Sequence, residues 1–352
     1  MTAREFRSID AVLAEPLCVV RDTQRAIGYV GFDIPEDVLA APVLAAAHLP
    51  WDRRRRTPDA DRILEDSFPG WSRSLLQDWL DGRFDFMTHV VFTRGDDASQ
   101  RLYYYVCELQ RRRRLAGPEP LIFDTARICR STSADWTAAA VRKLVAELDI
   151  AAADLREGMR RANRRREMLA ALDANRTSKS AVYERIARAS LFAPVETLDL
   201  PAGTPAATAA GKVLLAGSNP PDDTLHLAVE EAGWRVAGEI YDRDLRRLGP
   251  VVDADDKDPE SAVARGASAG ITGPRSMHDR PALIVQDAAT RGVDAVVFWL
   301  HEDDEAIAWD VVPARRALEA RGCPTLVLAR RAWDLTDEPQ AEIIGFLGGL
   351  DA

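Results

Sequence analysis

Five consecutive residues, His301-Glu302-Asp303-Asp304-Glu305, set one imidazole and four carboxylates directly after the apolar run DAVVFWL. Histidine and carboxylates bind metals such as Mn, Fe(II) and Zn, and they titrate where proton transfer is useful. His301, Glu302 and Asp304 are therefore candidate catalytic groups, or candidate metal ligands if Asp33 and Asp96 from other segments complete the set. The same carboxylates also suit the first turn of a helix, where the dipole and solvent stabilise them.

Other polar loops follow apolar runs in the same way. GDDAS (95–99) offers Asp96 and Ser99 as substrate contacts, with helix capping by Asp97 or Ser99 as the structural alternative. In AGSNPPD (216–222), Gly217, Ser218 and Asn219 could hydrogen-bond an acyl or phosphate group. In GITGPRSMHDR (270–280), Arg275 and Arg280 could each grip a carboxylate or phosphate through two parallel bonds. Of five histidines, His278 and His301 are the best placed for function. The arginine runs 53–56 and 111–114 could meet a phosphate, although isolated charge runs are commonly solvated faces. There is no GxGxxG after a strand, Walker loop, GxSxG elbow or HExxH, which removes the commonest chemistries of a doubly wound protein.

Four cysteines, Cys18, Cys107, Cys129 and Cys323, lie on separate segments with no CxxC spacing. Each reads as a small buried hydrophobe. With 352 residues, 47% hydrophobic and 29% charged, the chain can fill two ordinary cores without staples. A net charge of -10 argues against nucleic acid and anionic membranes as partners. The N-terminus carries charge throughout, and no segment reaches the roughly 20 apolar residues of a membrane span, so a cytoplasmic location is expected.

The elements that must position these loops are most legible in the second half. KVLLAGS (212–218), WRVAGEI (234–240), DAVVFWL (294–300) and TLVLA (325–329) read as strands. Helical stretches at 222–233 and 311–321 alternate with them, and AEIIGFLGGL closes the chain as a helix. In the first half, RAIGYVGF, FMTHVVFT and EPLIFDT read as strands, with DVLAAPVLAAAHL and SRSLLQDWLDG as helical stretches. A long amphipathic segment then runs over 137–176. Alternation of this kind predicts an α/β protein of two doubly wound, parallel-sheet (Rossmann/flavodoxin-like) domains facing a cleft, with additional helices. The expected division is 1–198, a Pro/Gly/Ala-rich linker at 199–211, and 212–352.

IGYVGFDIPEDVL (27–39) resembles the entry motif of the 2-hydroxyacyl-CoA dehydratase and benzoyl-CoA reductase component family, of the D-component type, in which a strand delivers the first cluster cysteine. Counting back from Pro35 puts that position at Gly31. The second position, a Cys-Asp pair after a buried strand, falls on Gly95 and Asp96 in VVFTRGDDASQRLYYYV. The third, six residues before an Asp that opens a helix, falls on Asp304, counted from Asp310. AGSNPPD and GITGPRSMHDR match further segments of the family.

In that family a cluster-bearing subunit holds a [4Fe-4S] centre through three thiolates and leaves one iron open to the substrate thioester. A separate ATP-hydrolysing activator supplies the electron. This chain has no cysteine at the three positions, so the resemblance implies a diverged subunit with no cofactor of its own, paired with a homologous, cluster-bearing partner. Its role would be structural or substrate-gripping, with acyl-CoA contacts from Gly31, Asp33, Asp96, Ser99, Gly217, Ser218, Asn219 and Arg275. Two other classes stay open. One is an independent enzyme using the His301–Glu305 loop with a metal or as an acid/base group; the other is a cofactor-free binding or regulatory protein.

Overall fold

The computed structural model describes residues 7–52, 54–126, 128, 130–176, 179–201, 209–245, 249–269, 279–333, 335 and 338–350. Among the described residues, eight strands, all in parallel pairs, form two sheets: β1 (Ala26–Val30), β2 (Ala45–His48), β3 (His89–Thr93) and β4 (Glu119–Phe123) in one, and β5 (Lys212–Gly217), β6 (Arg235–Ile240), β7 (Ala295–His301) and β8 (Thr325–Arg331) in the other. Their orders, β2-β1-β3-β4 and β6-β5-β7-β8, repeat one topology. This is the expected α/β class, with both faces of the central strands covered by helices.

In the first sheet, alternation along the strands splits the side chains between two cores. Ile27, Tyr29 and Val91 face one core, with the helices Ser131–Glu147, Ala152–Ala174 and Pro259–Ala269. Ala26, Val30, Val90 and Phe92 face the other, with Gly70–Leu80 and Asp97–Arg111. In the second sheet, all seven residues of β7 are buried. Val213, Leu215, Val297 and Trp299 pack with the helices Thr224–Glu231 and Pro339–Gly348. Each such buried aliphatic or aromatic side chain contributes about 1.5–3 kcal/mol.

Three local readings change. The stretch expected as a helix at 37–49 forms only the short helix Glu36–Leu39 and then strand β2. Pro42 cannot continue a helix, and the small Ala45–Ala47 run fits the sheet edge beside Gly28, which pairs with Ala47. The segment 137–176 forms two helices, broken where Asp149 adopts φ 45°. The helix read at 311–321 begins earlier, at Glu305, so Asp310 lies within it rather than opening it.

The chain forms two compact units, 1–167 with 189–198 and 248–274, and 168–188 with 199–247 and 275–352. The units are thus discontinuous in sequence, and side-chain bonds show why. Asn163 exchanges two bonds with the Val252 backbone (2.8 and 3.0 Å), and Arg156 holds the Ala254 and Asp256 carbonyls, which fixes 249–269 to the first unit. In the second, Arg176 binds Asp173 (2.8 Å) and Glu239 (2.6 Å), while Arg291 reaches Asp173 (2.6 Å). Most of the expected linker, 202–208, lies outside the described residues.

Candidate functional site

In each sheet the chain crosses from the first strand to one side and later returns to the other. The loops after β1 and β3, and after β5 and β7, therefore diverge at their carboxyl ends and leave a crevice where ligands bind in open α/β sheets. Gly31–Asp33 and Arg94–Asp96 follow β1 and β3; Ser218–Asn219 and Glu302–Asp304 follow β5 and β7. The sequence-derived positions fall at the equivalent place of each sheet.

In the first sheet, Gly31, Asp33 and Gly95 converge on Thr93. Gly31 has φ +105°, and a Cβ there would stand 2.2 Å from Thr93 Cγ2. A Cβ on Gly95 would meet Asp33 Oδ2 at 2.4 Å and Thr93 Oγ1 at 2.8 Å. The Gly95 N–H donates to Thr93 Oγ1 (2.7 Å), which pins the loop over the end of β3. Behind them Phe32 stacks on buried His48, ring centroids 5.1 Å apart. The space that cysteine side chains would need at 31 and 95 is taken by Thr93 and Asp33, and two glycines offer no donor. These residues do not fit a thiolate-held cluster.

Asp96 is the N-cap of the helix Asp97–Arg111: its carboxylate accepts the Ser99 N–H at 2.6 Å. The cap is therefore the residue before the pair expected from the sequence. Ser99 is only 1% exposed, and its Oγ has no hydrogen-bond partner among the described residues, so the hydroxyl faces protein rather than a ligand crevice.

In the second sheet, Gly217 adopts φ +117° and a Cβ there would sit 2.3 Å from the Trp299 carbonyl oxygen. Only glycine permits this approach, which lets the Ser218 N–H bond the same carbonyl at 2.9 Å. The Ser218 hydroxyl then accepts the His301 N–H (3.1 Å) and donates to Asp304 Oδ2 (2.8 Å), so one side chain ties both loops. Burial pushes the Asp304 carboxyl above the usual range; the Ser218 bond opposes this, the Asp242 charge adds to it, and Arg280 opposes it more weakly. Arg280 itself donates to Asp242 (2.6 Å) and lies 3.4 Å from Asp310. Asn219 Oδ1 accepts the Arg243 N–H at 3.0 Å.

His301 is 9% exposed, packs edge-on to Trp333 (5.3 Å) and accepts the Asp303 N–H at Nδ1 (3.3 Å). One ligand atom each from His301, Glu302 and Asp303 lies within 4.8 Å of the others, but Glu302 and Asp303 are exposed and the Asp303 amide already uses one imidazole nitrogen. Arg275, His278 and Cys129 lie outside the described residues. Cys18 is exposed, against the expectation of a core residue, and Cys107 and Cys323 are half-buried and free. Thr93 and Asp242 escaped the sequence reading. Both occupy the last position of a strand or just beyond it, and that placement was the available signal.

No helix among the described residues is long and apolar enough to cross a membrane. No curated protein matches the chain. The profile of the 2-hydroxyglutaryl-CoA dehydratase, D-component, matches residues 33–343, which takes in both sheets' switch-point loops from Asp33 onward. By that match over most of its length, the chain belongs to the 2-hydroxyglutaryl-CoA dehydratase D-component family.

Proposed function

We propose that this chain is the acyl-CoA-gripping component of a dehydratase or benzoyl-CoA-reductase type complex and carries no cluster of its own. A homologous, cysteine-bearing subunit would hold the [4Fe-4S] centre, served by an ATP-dependent activator. The observation that carries the reading is the packing at the first switch point, where Thr93 and Asp33 fill the room that cysteine side chains at 31 and 95 would require. Gly31, Asp33 and Asp96 in the first unit, and Gly217, Ser218 and Asn219 in the second, line strand ends from which thioester and acyl groups can be bound. Anaerobic co-expression with a cysteine-bearing homologue tests this: a stable complex that retains acyl-CoA supports it, and failure of the two chains to associate contradicts it.

A second reading rests on Asp304. A carboxyl pushed up by burial and bonded to Ser218 keeps its proton to higher pH than an exposed aspartate, which suits a general acid. The chain would then act alone. Turnover of a hydroxyacyl-CoA by the isolated protein, lost in Asp304→Asn and altered in His301→Ala, would favour this reading over the subunit one.

A further inference from the structure

We propose that the loop after β2, through Trp51, Arg54 and Arg56, binds the adenosine 3′-phosphate 5′-diphosphate portion of coenzyme A; this rests on the acyl-CoA reading above. β2 is the edge strand beside β1, and the Phe32–His48 stack joins its carboxyl end to the loop that carries Gly31. The chain after β2 therefore leaves the sheet one strand away from the loop that carries Gly31.

Asp52 and Arg55 are held before any ligand arrives. The Asp52 N–H donates to Ser74 Oγ (2.9 Å), and Asp52 Oδ1 accepts the Arg54 N–H (2.9 Å). Arg55 is locked by buried Asp78 and by Asp81. The two flanking arginines are not spent in this way. Arg54 has a side chain 74% exposed, with only a 3.5 Å contact to Asp52. Arg56 is exposed and has no hydrogen-bond or ion-pair partner among the described residues. Arginine forks match phosphate oxygens, and neighbours already held by bonds reduce the entropy lost on binding. Trp51 and Trp71 are half-buried with ring centroids 6.4 Å apart, which leaves indole surface on which a purine can stack.

The alternatives on the same unit fit less well. Arg111 and Arg112 both bind Glu108 at the end of their helix, which runs back to the amino edge of the sheet, away from the crevice. In the second unit, the loops after β6 and β7 carry Asp242, Glu302, Asp303 and Asp304, the wrong charge for a polyphosphate.

Titration of the full-length protein with coenzyme A, 3′-dephospho-coenzyme A and an acyl-pantetheine thioester tests the assignment, using wild type, Arg54→Ala/Arg56→Ala, Trp51→Ala and the control Arg112→Ala. The double arginine variant is expected to bind coenzyme A about tenfold or more weakly, with acyl-pantetheine unaffected and Arg112→Ala unchanged. Wild type is expected to prefer coenzyme A to its 3′-dephospho form. Coenzyme A affinity in the double variant within twofold of wild type overturns the proposal, as does equal binding of coenzyme A and acyl-pantetheine by wild type; in either case thioester binding itself keeps the acyl-CoA reading intact. If no coenzyme A thioester binds the chain, alone or with its cysteine-bearing partner, both the site and the acyl-CoA reading fall.

Discussion

Gly31 and Asp304 show how far a residue's identity speaks for its chemistry. At Gly31 the backbone is in the left-handed half of conformational space and a Cβ would strike Thr93, so Gly31→Ala should cost about 2–4 kcal/mol in urea-induced unfolding. A cost below about 0.5 kcal/mol would mean that loop and Thr93 relax freely, which would reopen the space to a cysteine. At Asp304 the folded-state pKa is raised by burial, so its effect on stability is absent at low pH and becomes a penalty as pH rises through the folded value. Asp304→Asn keeps an acceptor for Ser218 and removes that penalty. The variant should match wild type near pH 3 and exceed it by about 0.5–1 kcal/mol at neutral pH, by chemical denaturation at both. A variant less stable than wild type at neutral pH would show that the carboxylate is a needed charge. The sequence placed both residues correctly after strands, because a glycine or acidic loop behind an apolar run is a local signal. It missed Thr93 and Asp242, and named the wrong cap beside Asp96, because those roles depend on which strand end lies opposite.

Elements were legible where pattern and propensity agreed. β5, β7 and the helix Gly70–Leu80 emerged from apolar runs and helical periodicity. β2 did not, since an alanine-rich run prefers helix in isolation and becomes a strand here only by pairing with β1. The exchange of 168–188 and 248–274 between units was also invisible, because it is made by long-range side-chain bonds. One of these carries a clear test. Glu239 is fully buried between Arg176 and His226 (both contacts 2.6 Å), and Arg176 above all holds its carboxyl well below the usual range against the cost of burial. Glu239→Gln leaves Arg176 without that charge and should cost about 3–5 kcal/mol. Since a depressed carboxyl stabilises the fold above its unfolded pKa and loses that contribution as pH falls through its folded value, the gap between the two proteins should narrow in strong acid. A difference that stays constant with pH would show that packing, rather than charge, is what Glu239 supplies.

The whole molecule repeats one four-stranded topology and brings its polar loops to the carboxyl end of each sheet, and the family profile spans both repeats. The α/β alternation and the family motif made this much readable from the sequence. At the strand ends, Thr93 and Asp33 fill the space beside Gly31 and Gly95, and Ser218 ties down Asp304. The claim that this component grips acyl-CoA while a partner houses the iron is tested most directly by iron and acid-labile sulfide in the anaerobically purified protein, alone and in complex with its cysteine-bearing homologue. Neither is expected in the isolated chain, and both, in equal amounts, are expected in the complex. Stoichiometric iron and sulfide in the isolated chain would contradict it, and would make ligands of Cys18, Cys107, Cys129 or Cys323.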